Sequence, residues 1–283
     1  MGGYARENEG GAAGQPGPRR GHRGGRWLGA SLAAVALVST AAVVVAVLRT
    51  GDAACAASPP GVRVASLRGV PAPGVGHSGT ATHYTLRSGG GNCSYPGPPA
   101  DGLYVALSPA EYAQAGACGG YLDVAGPAGS VRIKIVDQCP ECATGHIDLS
   151  TPAFARIAAL ADGMVKVTYR LVRNPRVPGE LTYRVKEGSS RYWLAILPDN
   201  HGNPVSRLEV RSPGGSWHRL SHADYNYWLA DHGAGPGPFA VRLTDIAGNQ
   251  VVTGSVGLRP GVTQRSGQRA YSGAAPLPRG AAA

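Results

Sequence analysis

Phenylalanine and charged residues are scarce in this chain of 283 residues. Only two Phe stand against 12 Tyr and four Trp, and rings with a polar edge suit wet surfaces and ligand platforms better than dry cores. Charged residues make up 16% of the chain, and the net charge of +10 is scattered without a basic run. This pattern argues against a nucleic-acid partner, while it is compatible with attraction to acidic cell-wall polymers.

Charge is absent altogether from Trp27 to Leu48, and this apolar run is long enough to cross a bilayer as a helix. Arginines precede it within residues 1–26, a Gly/Arg-rich segment that we expect to be disordered and cytoplasmic. The alternative is a cleaved signal peptide, because small residues follow at 53–57. Either reading predicts an extracellular protein, secreted or anchored in the membrane through residues 27–48, with a linker over residues 49–76.

Export decides how the five cysteines are interpreted. Cys139 and Cys142, with His146 nearby, could form half of a zinc site or a redox dithiol. Outside the cytosol disulfides persist, so we predict two structural disulfides and no metal, while Cys55 is left over. Four cysteines allow three pairings that the sequence does not distinguish. We favour Cys93 with Cys118 and Cys139 with Cys142.

Two carboxylates flank the loop that carries the second cysteine pair. An alternating strand from Val131 leads to Asp137, and its apolar residues are expected on the buried face while Arg132 and Lys134 face solvent. After the loop, Asp148 stands on a short apolar segment. Ser150-Thr151-Pro152 then predicts a capped helix whose apolar face is formed by Phe154, Ile157 and Leu160. Two acids at fixed ends of one loop indicate a functional site.

Short strands separated by Gly/Pro turns continue on both sides of this site. Residues 77–173, with several β-prone runs and small helices, predict a small β-barrel. Residues 174–260 contain short strands without a helical period and predict a β-sandwich, so the chain is mainly β. Residues 261–283 are Gly/Ala/Arg-rich, and we expect a disordered tail there.

Several of these stretches, in this order, resemble expansins, particularly the bacterial and fungal expansin-like proteins. The resemblance implies a six-stranded double-psi β-barrel followed by a carbohydrate-binding, immunoglobulin-like β-sandwich. In the first domain it rests on Gly79-Thr80-Ala81-Thr82, Ala106-Leu107-Ser108-Pro109, Asp137, the run from Gly145 to Ser150, and Phe154. In the second domain it rests on the run from Tyr183 to Trp193, on Asp224-Tyr225-Asn226 and on Arg242-Leu243-Thr244-Asp245.

The resemblance also implies roles for the residues of the barrel site. Asp148 matches the general acid of a related group of inverting endoglucanases, whereas expansins lack the second catalytic carboxylate. Asp137 then orients the loop or binds sugar hydroxyls, and Thr82 supplies a hydroxyl beside the acids. The plain alternatives are a turn cap for Asp137 and an ordinary strand residue for Thr82. Cys139 stands where some bacterial members carry an aromatic residue, which removes one place for sugar stacking.

In the second domain the resemblance implies a flat aromatic platform for sugar rings, formed by Tyr192, Trp193 and Tyr225 with Lys186 nearby. Adjacent residues of a regular strand point to opposite faces, so exposure of both Tyr192 and Trp193 requires a bulge or a strand end. The other tryptophans, Trp217 and Trp228, are predicted to be core residues.

The sequence therefore predicts an expansin-like, monomeric protein without a cofactor that binds cellulose, β-glucan or peptidoglycan and loosens noncovalent polymer contacts without hydrolysis. One alternative is an enzyme, either a weak glycosidase or a lytic transglycosylase that uses Asp148. Another is a tethered carbohydrate-binding module whose barrel is only a spacer. Release of reducing ends would distinguish the enzyme from the other two.

Overall fold

The structure, a computed structural model, describes residues 67–86 and 89–277. Six strands of its first half close into a barrel in the order β1-β5-β2-β4-β3-β6. The pairs β1/β5 and β2/β4 are parallel and the other neighbours are antiparallel. The mainly β fold and the closed six-stranded barrel confirm the sequence-based prediction. The strands are β1 (His77–Tyr84), β2 (Tyr104–Leu107), β3 (Tyr121–Gly126), β4 (Gly129–Gln138), β5 (His146–Ser150) and β6 (Val165–Leu171).

Strand β4 fills the barrel as its alternation predicts, but its outer face is not wet. Ile133 and Ile135 are fully buried in the barrel core. Arg132 and Lys134, expected in solvent, are only 8% and 6% exposed. Later parts of the chain cover them, and acidic partners compensate both charges: the buried Asp123 for Arg132 (2.8 Å) and the partly buried Asp199 for Lys134 (2.5 Å).

The helices are shorter than the sequence predicts. They are α1 (Pro109–Tyr112), α2 (Thr151–Phe154) and a 3₁₀ turn (Leu160–Asp162). The predicted cap is present, since the Ser150 hydroxyl accepts a hydrogen bond from the Ala153 amide. The prediction that the apolar face of this helix extends to Leu160 is wrong, because Leu160 is 43% exposed. The Ile157 carbonyl instead accepts a bond from Ala128 in the β3–β4 turn (2.8 Å), so tertiary contacts replace further helical turns.

The second half contains two antiparallel sheets, ordered β10-β9-β13-β14 and β11-β12-β8-β7-β15. They share one apolar core, to which the first sheet gives Leu208 and Val241 and the second gives Tyr183 and Ile196. Their strands are β7 (Thr182–Val185), β8 (Leu194–Asp199), β9 (Val205–Arg211), β10 (His218–Arg219), β11 (Ser221–His222), β12 (Trp228–Ala230), β13 (Phe239–Asp245), β14 (Gln250–Val256) and β15 (Thr263–Arg265).

The two tryptophans expected in the core behave differently. Trp228 is 3% exposed and belongs to the shared core, as predicted. Trp217 is only half-buried and is therefore a correction. Its ring is flanked by the guanidinium groups of Arg211 and Arg242, which lie 4.7 and 4.3 Å from the ring centre. Cation–π contact with these two arginines stabilises the ring outside the core.

The five-stranded sheet also packs against the barrel. Ala195, Leu197 and Leu229 belong to the same buried cluster as the barrel core residues. Lys134 of β4 reaches this face, where its ammonium group lies 4.0 Å from the centre of the Tyr95 ring. The two halves therefore share a buried, partly charged junction.

The C-terminal segment is ordered as far as the structure describes it, which corrects the expected disorder from residue 261. Strand β15 extends the five-stranded sheet by pairing with β7. Farther on, the Ala275 amide donates to the Asn174 carbonyl (2.7 Å). Arg132 of the barrel donates to the carbonyls of Ala275 (3.0 Å) and Pro276 (2.6 Å). These backbone partners stabilise a segment whose composition alone suggested no order.

The predicted membrane segment at residues 27–48, the cytoplasmic N-terminus, most of the linker and Cys55 lie outside the described residues. Within the part of the chain that is described, no helix has the length and apolar character needed to span a bilayer.

Candidate functional site

Thr82 and Asp148 meet directly because parallel pairing of β1 with β5 places them side by side. The Thr82 hydroxyl donates to Asp148 Oδ1 at 2.7 Å. His146 Nε2 lies 3.0 Å from the same hydroxyl. Since the Thr82 proton is committed to Asp148, its oxygen accepts from His146, which assigns the proton to Nε2 of that imidazole. The three side chains form one hydrogen-bonded row across two strands.

Asp148 holds its proton more tightly than an ordinary aspartate. Burial raises the pKa of this carboxyl, and the negative charge of Glu141 adds to the effect. The Thr82 hydrogen bond and the nearby His146 oppose the shift by stabilising the carboxylate. A half-buried carboxyl of this kind can donate a proton or a hydrogen bond to a bound hydroxyl or glycosidic oxygen.

Asp137 stands at the end of β4 and is committed to the loops around it. Its Oδ1 accepts from the backbone amides of Asn92 (2.7 Å) and Gln138 (2.9 Å). Its Oδ2 accepts from the Tyr84 hydroxyl at 3.3 Å. Gly91 packs so closely that a Cβ there would lie 2.8 Å from the Asp137 carboxyl carbon. Asp137 thus holds the loop at Gly91 and Asn92 in place.

The disulfides pair as favoured, Cys93 with Cys118 and Cys139 with Cys142. The second closes the loop between the two acids and packs with Ala106 in a small buried cluster. Both of its sulfurs are therefore unavailable as zinc thiolates. Across residues 67–86 and 89–277, no group of three or more His, Cys, Asp or Glu side chains could hold a metal ion.

A buried carboxylate, Glu111, supports the strand that carries His146 and Asp148. It is 5% exposed and accepts bonds from the Ser108 hydroxyl (2.6 Å), the Gly145 amide (3.0 Å) and the Tyr169 hydroxyl. Ser108 thus binds Glu111 rather than capping α1. Because Gly145 directly precedes β5, Glu111 fixes the start of the strand that carries His146.

The predicted platform begins in a tight turn between β7 and β8. The Ser190 amide donates to the Trp193 carbonyl (2.7 Å), so Tyr192 and Trp193 lie at a strand end and not within a regular strand. Tyr192 is 72% exposed and Trp193 is half-buried. Gly233 supports the turn from behind, because a Cβ at this position (φ +72°) would lie 2.2 Å from the Arg191 carbonyl oxygen.

The other platform residues lie on the face of the second half that meets the barrel. Trp193 and Tyr225 both pack, half-buried, against the cluster that spans the junction. Tyr225 lies 6.0 Å from Tyr227, and the Lys186 ammonium group lies 5.7 Å from the Tyr227 ring. The structure therefore brings Tyr225 and Lys186 to one buried ring, Tyr227, while Tyr192 extends into solvent.

Comparison with known proteins places these features in a family. A family model described as lytic transglycolase matches residues 104–169. Expansin-YoaJ of Bacillus subtilis (strain 168) is 37% identical over 179 residues, which cover 62% of this chain and 76% of the relative. The chain belongs to the expansin family. Expansin-like protein 1 of Dictyostelium discoideum is 32% identical over 184 residues, covering 60% and 64% of the two chains.

Solved structures of an expansin agree with this assignment. The apo form of the Clavibacter michiganensis expansin is 42% identical, with a TM-score of 0.67 over 70% of this chain and 98% of the other. A point mutant of that expansin in complex with cellohexaose gives a TM-score of 0.66 with the same identity and coverage.

Sequence reasoning missed several members of the site of this expansin. His146 and Tyr84 each lie two residues from a predicted site residue on the same strand, Asp148 and Thr82 respectively. Two-residue spacing places side chains on one face, so this signal was available in the sequence. Glu111 carries no such signal, because two of its three partners, Gly145 and Tyr169, are distant in the chain.

Proposed function

We propose that this expansin binds cell-wall polysaccharide through its barrel site and its aromatic turn, and that it loosens noncovalent contacts between polymer chains without cutting them. The observation that carries the proposal is the unequal state of the two aspartates. Burial raises the pKa of Asp148, whose carboxyl accepts one side-chain hydrogen bond, that of Thr82. Asp137 accepts three hydrogen bonds from its own loops.

Glycosidic hydrolysis uses two carboxyl groups, one as an acid and the other as a base or nucleophile. The hydrogen bonds to Asp137 occupy lone pairs that a catalytic base would need. Asp148 alone can polarise or hydrogen-bond a sugar, but it cannot both donate a proton and activate water. This arrangement favours binding and local distortion of a polymer over cleavage.

Two observations support a β-linked glucan as the polymer. A solved expansin relative binds cellohexaose, and flat rings such as Tyr192 and Trp193 match the apolar faces of glucose units. The family model named for lytic transglycolases supports peptidoglycan as the alternative polymer. Both disulfides favour an extracellular location, in agreement with a wall target.

The test measures mechanical loosening and sugar release together. Creep of a cellulose network under load, with soluble reducing ends assayed in the same sample, should show extension without release. Asp148→Asn should abolish the extension. Asp162→Asn, a change at an exposed aspartate of the 3₁₀ turn, is the matched control and should leave it intact. Sugar release that scales with protein and disappears in Asp148→Asn would refute the non-hydrolytic mechanism.

A hydrolytic function is the second candidate, and Glu141 is the observation that favours it. This glutamate is exposed on the disulfide loop and close enough for its charge to raise the pKa of Asp148. A carboxylate there could activate the water that Asp137 does not. Reducing-end release that is lost in Glu141→Gln, while adsorption to the polymer is kept, would establish this function.

A further inference from the structure

A groove of about 360 Å³ lies between the barrel, the connection to the second half and the C-terminal segment. No residue of the barrel site or of the aromatic turn is part of its described lining. Four buried side chains form a largely apolar floor: Leu103, Tyr121, Val131 and Val177. Three exposed arginines stand at the rim: Arg156, Arg176 and Arg269. We call this cavity the arginine groove.

Two of the rim arginines keep an uncompensated charge. Arg269 Nη1 donates to the carbonyls of Val177 (3.0 Å) and Gly179 (3.3 Å), which fixes the guanidinium group without neutralising it. Among the described residues, no hydrogen bond or ion pair involves Arg176. Asp101 contributes the one negative charge of the described lining. The rim therefore carries a net positive charge that an anion can compensate.

A fourth arginine, Arg132, builds one wall of the groove. Its charge is compensated, because it donates to both carboxylate oxygens of Asp123. It also donates to the carbonyls of Ala275 and Pro276, and these bonds hold the C-terminal segment beside the groove. Leu277 follows directly and lines the groove while it is 51% exposed. The wall thus presents an apolar side chain that remains half in solvent.

The two parts of the lining specify the chemistry of a ligand. The apolar floor favours burial of an apolar body, as in most small-molecule sites. A guanidinium group binds a carboxylate through two parallel hydrogen bonds and also stacks on aromatic rings. A small molecule that combines an aromatic ring with a carboxylate satisfies both parts. A neutral sugar satisfies neither, because its hydroxyls would be buried against the apolar floor and the arginines would stay uncompensated.

We propose that the arginine groove is a binding site for an aromatic carboxylate. The ring lies on the floor beside Leu277, and the carboxylate pairs with Arg176 and Arg269. This ligand belongs to another chemical class than the polysaccharide of the proposed function, and its site lies apart from Asp148 and from Tyr192. The inference therefore goes beyond the proposed function and does not depend on it.

The competing explanation is that the arginines only hold the C-terminal segment in place. Arg132 and Arg269 do so through backbone carbonyls. Arg176 does not, because it has no hydrogen bond within the part of the chain that the structure describes. If the cluster serves packing alone, loss of the Arg176 charge will change no ligand affinity. If the groove is a binding site, this loss will weaken binding and leave the fold intact.

The experiment titrates the full chain with four probes and follows the amide NMR signals of Val177 and Arg269. Cinnamate carries both the ring and the carboxylate. Cinnamyl alcohol keeps the ring without the charge, octanoate keeps the carboxylate on a flexible apolar chain, and inorganic phosphate keeps charge alone. Comparison of the four probes separates the contributions of ring and charge.

Two variants test the residues of the groove. Arg176→Gln removes an uncompensated charge, and Leu277→Ala shortens the exposed apolar side chain. The matched control is Arg173→Gln, because Arg173 is an exposed arginine of the same connection that is not part of the described groove lining. Its guanidinium group instead donates to the Ala247 carbonyl (3.2 Å).

We expect cinnamate to bind with a dissociation constant of about 1 mM or tighter and to shift both amide signals. Arg176→Gln should weaken this binding about tenfold or more, the usual effect of losing a charged hydrogen-bond partner. Leu277→Ala should weaken it several-fold, because less apolar surface is covered. Arg173→Gln should bind cinnamate as the wild type does. Thermal unfolding of Arg176→Gln should match that of the wild type.

Several results would overturn the inference. Equal affinity for phosphate would make the groove a plain anion site, and equal affinity for cinnamyl alcohol would show that charge has no role. Octanoate binding as tightly as cinnamate would remove the aromatic part of the assignment. Unchanged cinnamate affinity in Arg176→Gln, or no saturable binding by the wild type, would contradict the site itself. A wild type that binds cinnamate but no polysaccharide would instead refute the proposed function alone.

Discussion

Acid should weaken the junction between the two halves through His222, and the structure sets the size of the effect. His222 stacks on Trp228 with ring centres 4.1 Å apart and shares a hydrogen bond with Asn226. Burial lowers the pKa of this imidazole to about 4, against an ordinary value of 6.5. Burial also lowers the pKa of the neighbouring His201. Both rings are therefore neutral in the folded protein at neutral pH.

Stability falls as the pH falls, because His222 takes up its proton at a higher pH in the unfolded chain than in the folded protein. The unfolded chain protonates His222 as the pH falls below about 6.5, whereas the folded protein does so only near pH 4. Within this window the unfolded state binds more protons, so stability that is complete above pH 6.5 is progressively lost. At 1.36 kcal/mol per pKa unit, His222 accounts for about 3 kcal/mol, and below pH 4 its contribution no longer changes. His201 acts in the same direction.

Urea unfolding of the wild type and of His222→Gln, measured at several pH values between about 7 and 4, tests this reasoning. Glutamine keeps a donor for Asn226 but cannot titrate, so the variant should lose about 3 kcal/mol less than the wild type over this range. His218→Gln changes an exposed histidine and is the matched control. Parallel pH profiles for the wild type and His222→Gln would refute the argument.

Three further predictions concern the site and its supports. Thr82→Val removes a bond that stabilises the carboxylate, so the pKa of Asp148 should rise further, as measured by carbon NMR of the carboxyl group; an unchanged titration would show that the bond is unimportant. Trp193→Ala should cost about 1–3 kcal/mol of adsorption to insoluble glucan, more than Asp148→Ala does, and equal losses would argue against the platform. Replacing Cys93 and Cys118 together with alanine should lower unfolding stability by about 2–5 kcal/mol in denaturant titrations, and an unaltered midpoint would contradict that role.

Much of the barrel could be predicted because its strands obey a two-residue period. Val167, Tyr169 and Leu171 of β6 are buried while Lys166 and Thr168 between them are exposed, as their alternation indicates. The same period explains why Asp148 and His146 share a face. A strand end is one of two placements that the sequence allows for Tyr192 and Trp193, the other being a bulge. In the structure the two residues lie at a strand end.

What could not be predicted depends on contacts between distant parts of the chain. Asp148 meets Thr82 across 66 positions, and only the parallel pairing of β1 with β5 brings them together. Pairing partners of strands leave little trace in a single sequence, so the resemblance to a family supplied this neighbourhood. The residue pattern alone supplied only the candidates.

Arg132 shows the limit of local patterns most clearly. Arg132 and Ile133 are consecutive residues of one strand, so their side chains point to opposite faces and the Arg132 side chain is predicted to face solvent. A barrel without the second half would leave that side chain in solvent. In the structure Arg132 donates to both oxygens of Asp123 and to carbonyls 143 and 144 positions away. Removing a guanidinium group from water costs free energy. An arginine can therefore be buried only when its donors have fixed acceptors such as these.

The C-terminal segment binds both the barrel and the connection between the halves. Its acceptors, Ala275 and Pro276, bind a barrel arginine, while its amide at Ala275 binds Asn174 of the connection between the halves. This segment therefore restrains the junction on one side. On another side the junction is restrained by the hydrogen bonds from the Ser94 hydroxyl to the Tyr225 carbonyl and from Asn226 Nδ2 to the Cys93 carbonyl. These contacts fix the spacing of the two halves, which the proposed binding of wall polysaccharide through the barrel site and the aromatic turn requires.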